Sequence, residues 1–280
     1  RLGHPHRLRL LTAMNDYPIH AGSMLFTMVD PEKGYEVEYN RWYERDHFYA
    51  GCMIGPWLFA GKRWVATREL KDLRFPAGDT PVASPVDKGS YLAVYYVLEG
   101  KHDEHFAWAA DQVVDLYTNN RGFMNRVHAH TVLLERPSAF YRDDDPVPIE
   151  LAFDHPYRGL AVVAVDPADG VSEDELVAHL EAEALPALMN GSPVASMASW
   201  HYQDAGAGDT DRAPMDLGMP PGPPERQVQL FFLEDEPTAV WDRFHAYADD
   251  LAASGKGQVV FAAPFLPTIV GTDTYTDQLW

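Results

Sequence analysis

The sequence predicts an α+β fold in which a strand–helix–strand–strand–helix–strand unit occurs twice in tandem. Two observations support this prediction. Apolar, β-rich segments alternate with segments of helical periodicity in the same order in both halves of the 280-residue chain. In addition, one stretch of the first half aligns with a stretch of the second. Because ordered self-similarity is typical of repeat architectures, the sequence predicts an internal duplication.

The alignment is clearest around the first predicted helix of each half. His47 aligns without a gap with Ala184, and the turn sequence at residues 29–34 matches that at residues 165–170. A histidine needed only for packing would more often be replaced by another large residue. We therefore expect one working pocket in the first half and one degenerate pocket in the second.

The elements of the first copy follow from local patterns. Four runs of apolar, aromatic or β-branched residues predict strands at 24–29, 57–67, 91–98 and 123–134. The first helix contains residues 38–48 and ends near Gly51 or Gly55, because glycine and the following Pro56 stop helices. Helical spacing of apolar residues predicts a second helix over 100–120.

The second copy follows an acidic linker at residues 137–158. Its predicted strands are 160–165, 193–202, 227–233 and 258–263, and its predicted helices are 174–189 and 238–253. Ser172 and Glu175 form a capping box before the first of these helices. Gly- and Pro-rich loops at 74–89 and 206–224 occupy equivalent positions, and their composition leaves open whether they are lids.

This order of elements is the ferredoxin-like one. A single such unit leaves one sheet face bare, so two fused units are expected to bury those faces in an α/β barrel. We predict a first repeat at residues 1–136 with the active pocket, and a second at 159–280 with the degenerate pocket. The last residues, 264–280, form a tail that the repeat does not explain.

Composition excludes several partners. The chain carries 22 Lys and Arg against 42 Asp and Glu, a formal charge of −20. Such a surface repels nucleic acid and anionic membranes. Apolar runs are too short for a membrane span. Cys52 is the single cysteine, which excludes an intrachain disulfide and is typical of a cytoplasmic protein.

The first helix carries the candidate active site. Tyr39, Tyr43 and His47 are spaced i, i+4, i+8 and lie on one helix face. Histidine is the side chain that most readily exchanges protons near neutral pH. We predict His47 as the catalytic acid or base and Tyr43 and Arg63 as groups that stabilise a developing oxyanion. Substrate-binding walls are predicted from Tyr39, Trp42 and Trp64.

A second cluster of imidazoles lies on the fourth predicted strand. His128 and His130 are two residues apart, so a regular strand places both on one face. They are predicted to contact the substrate, or alternatively to bind a divalent metal together. Haem is a further alternative, with His47 as its axial ligand.

The pattern Trp42-Tyr43-x-x-x-His47 resembles the EthD-like branch of the dimeric α/β-barrel superfamily. The stretch 183–186 looks like the same motif with the histidine lost and Leu-Pro kept, and the first copy lacks that proline. Members usually pair as homodimers, so the resemblance implies a pseudo-dimer within one chain. Pairing of whole chains into a homodimer is left open.

The resemblance implies a small hydrophobic substrate. We expect a cofactor-independent acid/base enzyme, a lyase or isomerase such as a cyclase, decarboxylase or dehydratase, acting on an aromatic or polyketide-like molecule. The superfamily also implies two alternatives, which are an oxygenase and a metal- or haem-dependent enzyme. A non-catalytic protein that binds a hydrophobic ligand is a third.

Overall fold

The computed structural model describes residues 18–203 and 213–280, and these residues form eight strands in one closed antiparallel barrel. The strands are β1 (Ala21–Pro31), β2 (Leu58–Val65), β3 (Tyr91–Leu98), β4 (Arg126–Tyr141), β5 (Gly159–Pro167), β6 (Val194–Tyr202), β7 (Gln227–Leu233) and β8 (Gly257–Pro267). Their order around the barrel is β1-β3-β2-β8-β5-β7-β6-β4. Each half therefore has ferredoxin-like strand order, as the sequence predicts.

The two sheets join at both edges. β4 pairs with β6 over a long stretch, whereas β2 pairs with β8 only at Trp64↔Pro267 and Val65↔Leu266. Side chains alternate between two faces along each strand. One face fills the barrel interior with large apolar groups such as Trp64, Trp200 and Phe232. The other face packs against the helices.

The helices lie outside the barrel, and the four predicted helical regions occur in the predicted order. The helices are α1 (Glu36–Trp42), α2 (Arg68–Asp72), α3 (His102–Thr118), α4 (Glu173–His179), α5 (Leu185–Met189) and α6 (Pro237–Ser254), with the short α2 unpredicted. The third predicted region is divided between α4 and α5. Ser172 and Glu175 form the predicted capping box at α4. No helix in the described part of the chain is long and apolar enough to cross a membrane.

Most of the predicted first helix is π-helical. After α1 the chain continues as a π-helix over Tyr43–Met53, and a shorter π-helix, Leu180–Ala184, follows α4. A π-helix aligns residues five apart, so His47 and Cys52 share a face. The segment in the second half contains Ala184, which aligns with His47. The two halves thus share an uncommon backbone feature at the aligned position.

The ends of the two repeats differ from the sequence prediction. β4 continues to Tyr141, so the stretch predicted as a linker begins inside a strand that pairs with β6. The C-terminal tail returns to the first half, where the Asn40 amide donates a hydrogen bond of 2.8 Å to the Thr272 carbonyl. Leu279 is fully buried there. The tail therefore holds the helix that carries His47.

Candidate active site

A cavity of about 150 Å³ lies between the outer face of the first sheet and the helices of the first half. Its walls are mostly apolar, and include Leu25, Val29, Leu58, Phe106, Ala109, Val113 and Leu133. Its polar side chains come from the π-helix, from α3 and from β1, β3 and β4. This cavity is where the sequence predicts the working pocket.

His47 lies on the π-helix at the edge of this cavity. Its ring stacks on Trp42 at 5.1 Å and meets Tyr43 edge-on at 4.8 Å between ring centroids. Its Nε2 is 3.9 Å from the Cys52 sulfur. Burial, aided by the positive charge of Arg126, lowers the pKa of His47 to about 3. The imidazole is therefore neutral at pH 7 and offers a lone pair.

One wall of the cavity carries a connected set of polar groups on β1 and β4. Arg126 Nε donates to His128 Nε2 at 3.2 Å, and His128 Nδ1 is 2.6 Å from Thr131 Oγ1. Thr131 Oγ1 is 2.6 Å from Thr27 Oγ1 on the neighbouring strand. Burial lowers the pKa of His128 to about 3. We call Arg126, His128, Thr131 and Thr27 the polar wall.

Four further polar side chains of the cavity come from α3, the π-helix and β3. His105 on α3 is only 2% exposed, and its Nδ1 has no hydrogen-bond partner among the described residues. Burial lowers the pKa of His105 to about 4, so this ring is also neutral at pH 7. Tyr43 and Tyr95 join their hydroxyls at 2.9 Å. Burial raises the pKa of Cys52 to about 12, which keeps it a thiol.

The predicted site residues differ in their position relative to the cavity. Tyr43, His47 and His128 line the cavity together. Tyr39 and Trp42 pack behind it, with Tyr39 fully buried. These two side chains support the site, and neither lines the cavity in the described structure.

Arg63 lies behind the cavity wall and not in it. Its guanidinium donates to the Asn40 side chain at 3.0 Å, lies 3.5 Å from a Glu44 carboxylate oxygen and covers the Tyr43 ring at 4.4 Å. The predicted role in stabilising an oxyanion therefore does not match its position. Because its Nη1 contacts Asn40 on α1 and Glu44 on the π-helix, Arg63 links these two segments. Its Nη2 is buried without a hydrogen-bond partner among the described residues.

Trp64 does not border the candidate site. It follows Arg63 on β2, so its side chain points to the opposite face, into the barrel interior. The sequence prediction of a substrate-binding Trp64 is inconsistent with this position. Because successive side chains of a strand point to opposite faces, the sequence predicts that Arg63 and Trp64 lie on different faces of β2. Which of the two faces the helices depends on the register of β2.

His128 and His130 lie on opposite faces of β4, contrary to the prediction. The register shifts between Met28↔His130 and Val29↔His128, which marks a β-bulge at Ala129. His130 consequently points away from the cavity and bonds to the Tyr202 hydroxyl at 2.9 Å and to the Met219 carbonyl at 2.8 Å. The two imidazoles therefore cannot bind one metal ion in this arrangement.

The described residues, 18–203 and 213–280, contain no group of three or more His, Cys, Asp or Glu side chains placed to hold a metal ion. Three polar side chains of the cavity were not singled out from the sequence, which are Thr27, Arg126 and Thr131. His105 was expected on an exposed helix face, or as a third ligand of a metal, and is instead buried at the cavity. Arg126 precedes the singled-out His128 by two residues, which was a usable signal. The pairing of Thr27 with Thr131 requires the strand register and had no local signal.

A segment of the second half covers the cavity of the first. This lid segment, residues 213–224, contributes Ala213, Pro214, Met215 and Leu217 to the cavity lining. It is held on β4 by hydrogen bonds from Thr131 N to Leu217 O at 2.9 Å and from Met219 N to Ala129 O at 2.8 Å. In the loop predicted at 206–224, residues 213–224 therefore cover the cavity. The rest of that loop lies outside the described residues.

Gly218 is required where the lid segment meets β4. Its φ is +82°, and an added Cβ would lie 2.4 Å from the Ala129 carbonyl oxygen. We expect Gly218→Ala to lower the free energy of unfolding by about 1–3 kcal/mol and to speed amide exchange at Thr131. Gly78→Ala is the matched control, because Gly78 has a φ of +90° and open space around it. Equal amide protection in both variants would contradict the role of the Gly218 contact.

Stability is expected to fall as the pH is lowered through the histidine range. His47, His105, His128 and His130 have pKa values of about 3 to about 4 in the folded protein, below the usual 6.5. The unfolded chain therefore binds more protons between these values, and unfolding becomes easier as pH falls from about 6.5. The loss reaches at most about 1.4 kcal/mol per pH unit for each neutral histidine.

Urea denaturation at a series of pH values from about 7.5 to about 5 measures this dependence, which we expect to appear below about pH 6.5. The variant His130→Gln should show a shallower slope, because one titrating group is absent from both states. A slope identical to that of the wild type would mean that His130 is not held neutral by burial.

The described residues form a closed barrel of two ferredoxin-like halves, with an apolar cavity under the helices of the first half. No protein-family model and no curated protein sequence matches the chain. Its fold is similar to the solved structure of a candidate chlorite dismutase, with a TM-score of 0.51 and 12% identity over 93% of this chain and 100% of the other. At this identity the likeness establishes the fold alone.

Two further solved structures align less closely. An anthrone oxidase-like protein gives a TM-score of 0.49 and 9% identity over 91% of this chain and 98% of the other. A DypB variant from Rhodococcus jostii RHA1 in complex with heme gives 0.48 and 10% identity over 93% and 96%. These comparisons do not identify the EthD-like branch, so that resemblance and the duplication of the sequence stay predictions.

Proposed function

We propose that the protein is a cofactor-independent acid/base enzyme that removes a proton from a small, single-ring molecule bound in the cavity. The observation that carries this proposal is the neutral imidazole of His47 at an apolar cavity of about 150 Å³. An engineered apolar cavity of about this volume takes benzene, so the size selects one ring. The imidazole is unprotonated at pH 7 and has a lone pair that can accept a proton. Because its low pKa makes it a weak base, stabilisation of the resulting anion must assist the transfer.

The oxidative and haem enzymes among the structural neighbours favour the alternative of a haem enzyme. The fit of this chain's residues argues against it. A cavity of about 150 Å³ is well below the 300–1,000 Å³ of pockets that hold drug-sized ligands, and a porphyrin is no smaller. In the second half, Leu180, Leu185 and Phe231 belong to one buried apolar cluster. A pocket of about 310 Å³ lies beside Ala184, the residue that aligns with His47.

A larger cleft of about 690 Å³ lies beside the start of β1, the end of β3 and the second half of β4. Its lining carries four carboxylates against one arginine, Arg136, and an excess of negative charge disfavours the propionates of haem. The carboxylates are those of Glu99, Asp103, Glu135 and Glu150. Titration with haemin, followed by visible absorption, is expected to give the spectrum of free haemin. A shifted Soret band at one equivalent would overturn the cofactor-independent proposal.

The proposed activity is tested with cyclohexanone, a single-ring ketone whose α-protons exchange with solvent when a base removes them. Proton NMR in D₂O follows their replacement by deuterium. The wild type is expected to accelerate exchange, and Ala109→Phe, which fills the cavity, is expected to abolish the acceleration. An equal rate in the wild type and Ala109→Phe would contradict catalysis in this cavity.

A non-catalytic ligand-binding protein is the competing proposal. It predicts that cyclohexanone binds without acceleration of proton exchange. Calorimetric titration on the same samples separates the two, since binding with exchange at the background rate supports a carrier.

A further inference from the structure

The polar wall holds a positive charge that the fold leaves unbalanced. Arg126 is 9% exposed and lines the cavity, at the first residue of β4. Its guanidinium packs over the Trp42 ring at 4.7 Å. No carboxylate among the described residues forms an ion pair with it. Asp216 in the lid segment acts on the nearby His128, where its negative charge opposes the lowering of the pKa, but it does not bind Arg126.

An unpaired buried charge is costly, so proteins normally pair it or use it. A guanidinium has five N–H hydrogens. Three of those of Arg126 have acceptors, which are His128 Nε2, the Phe123 carbonyl and the Tyr117 hydroxyl. The remaining hydrogens lie on its two terminal nitrogens, the pair that binds an oxyanion in a forked geometry.

The hydroxyls of the polar wall offer one further hydrogen. Because Arg126 Nε can only donate, His128 Nε2 accepts, and the proton of this neutral ring is on Nδ1, which donates to Thr131 Oγ1. Thr131 and Thr27 share one hydrogen bond. The two hydroxyls have two hydrogens, and only one of these is used in the bond between them. The other hydroxyl hydrogen has no acceptor in the described part of the protein.

We propose that the cavity binds its single-ring ligand as an oxyanion, a phenolate or an enolate, with the charged oxygen on Arg126. The hydroxyl hydrogen of the Thr27–Thr131 pair stabilises the same ligand. The inference deepens the proposed function and rests on its cavity. It explains how a chain of net charge −20 takes an anion, because the charge that receives it is buried under the lid segment.

The oxyanion is also what proton removal creates. When His47 accepts a proton from an enolisable ring, the electron pair of the broken C–H bond forms the C=C bond of the enolate and the π pair of the carbonyl moves to oxygen. The cation on Arg126 then pairs with that oxygen. The imidazolium of His47 exchanges its proton with solvent and returns a proton, or a deuteron in D₂O, to carbon. No oxidant or cofactor enters this balance.

Equilibrium binding tests the inference without any turnover. The probes are 4-nitrophenol, in a buffer alkaline enough to ionise it, and its neutral analogue nitrobenzene. The phenolate absorbs visible light, so its binding is followed directly, and nitrobenzene is titrated by calorimetry. We expect the wild type to bind 4-nitrophenolate about 10- to 100-fold more tightly than nitrobenzene, the range of a charge-assisted hydrogen bond.

Three variants assign the preference to named groups. Arg126→Gln is expected to lose the preference for 4-nitrophenolate over nitrobenzene. Its affinity for nitrobenzene should stay within about threefold of that of the wild type, since a neutral ligand forms no ion pair. Arg126→Lys, which keeps the charge, is expected to retain most of the preference. Thr27→Val removes the hydroxyl and keeps nearly the same shape, so we expect the variant to fold. It should weaken 4-nitrophenolate binding about 3- to 10-fold, the value of one hydrogen bond.

Two results would overturn the inference. One is equal affinity of the wild type for both probes, and the other is a preference that survives Arg126→Gln. Either would leave the cyclohexanone exchange activity standing. Conversely, phenolate-selective binding without proton exchange would overturn the proposed function and keep the oxyanion site.

Discussion

His47→Gln is expected to slow the exchange of cyclohexanone α-protons by about 10²- to 10⁴-fold, the contribution of a positioned general base. Glutamine is close to histidine in size and polar, so it preserves packing against Trp42 and Tyr43. It has no basic nitrogen. The affinity for nitrobenzene should therefore stay nearly unchanged while the exchange rate falls.

His179→Gln is the matched control for this substitution. His179 ends α4 in the second half, where it is 3.7 Å from Glu183, and it does not line the cavity. We expect this variant to exchange protons at the wild-type rate. An unchanged rate in His47→Gln, or an equal loss in both variants, would contradict the assignment of His47 as the base.

The rate should also be insensitive to pH across the physiological range. The pKa of His47 is about 3 in the folded protein, so the basic form is fully populated from about pH 5 upward. A rate that rises through pH 6.5 would show that the imidazole titrates in contact with bulk water. The assignment of a buried His47 with a lowered pKa would then be wrong.

Trp64→Ala is expected to lower the free energy of unfolding by about 3–5 kcal/mol, as is typical when a large aromatic side chain is removed from a core. Trp64 is fully buried in the barrel interior next to the short β2–β8 junction. The milder Trp64→Phe should leave a folded barrel with wild-type affinity for nitrobenzene. Urea denaturation and calorimetric titration measure the two quantities.

Trp42→Ala is expected to affect ligand binding more than stability, because the Trp42 ring contacts both His47 and Arg126. We expect it to weaken 4-nitrophenolate binding and proton exchange at a smaller loss of stability than Trp64→Ala. If Trp64→Phe weakened ligand binding as much as Trp42→Ala, the barrel interior would have to communicate with the cavity, and the separation of these two faces would be wrong.

Local sequence patterns determined the fold of this protein. Runs of aromatic and β-branched residues such as 91–98 predict strands, and Ser172 with Glu175 predicts the start of a helix. Repetition of the element order then predicts two halves and a barrel. Each of these inferences depends only on neighbours in the chain, and each agrees with the structure. The aromatic face that carries Tyr43 and His47 was predicted for the same reason.

Tertiary structure alone decided which side chains meet. The bulge at Ala129 turns His130 away from His128, and a two-residue spacing cannot reveal it because a bulge depends on the partner strand. The register of β2 sends Trp64 inward and leaves Arg63 paired with Asn40. The lid segment reaches the cavity from the other half of the chain. That Arg126 lines the cavity without an ion pair to any carboxylate of the described residues follows from packing and not from sequence order.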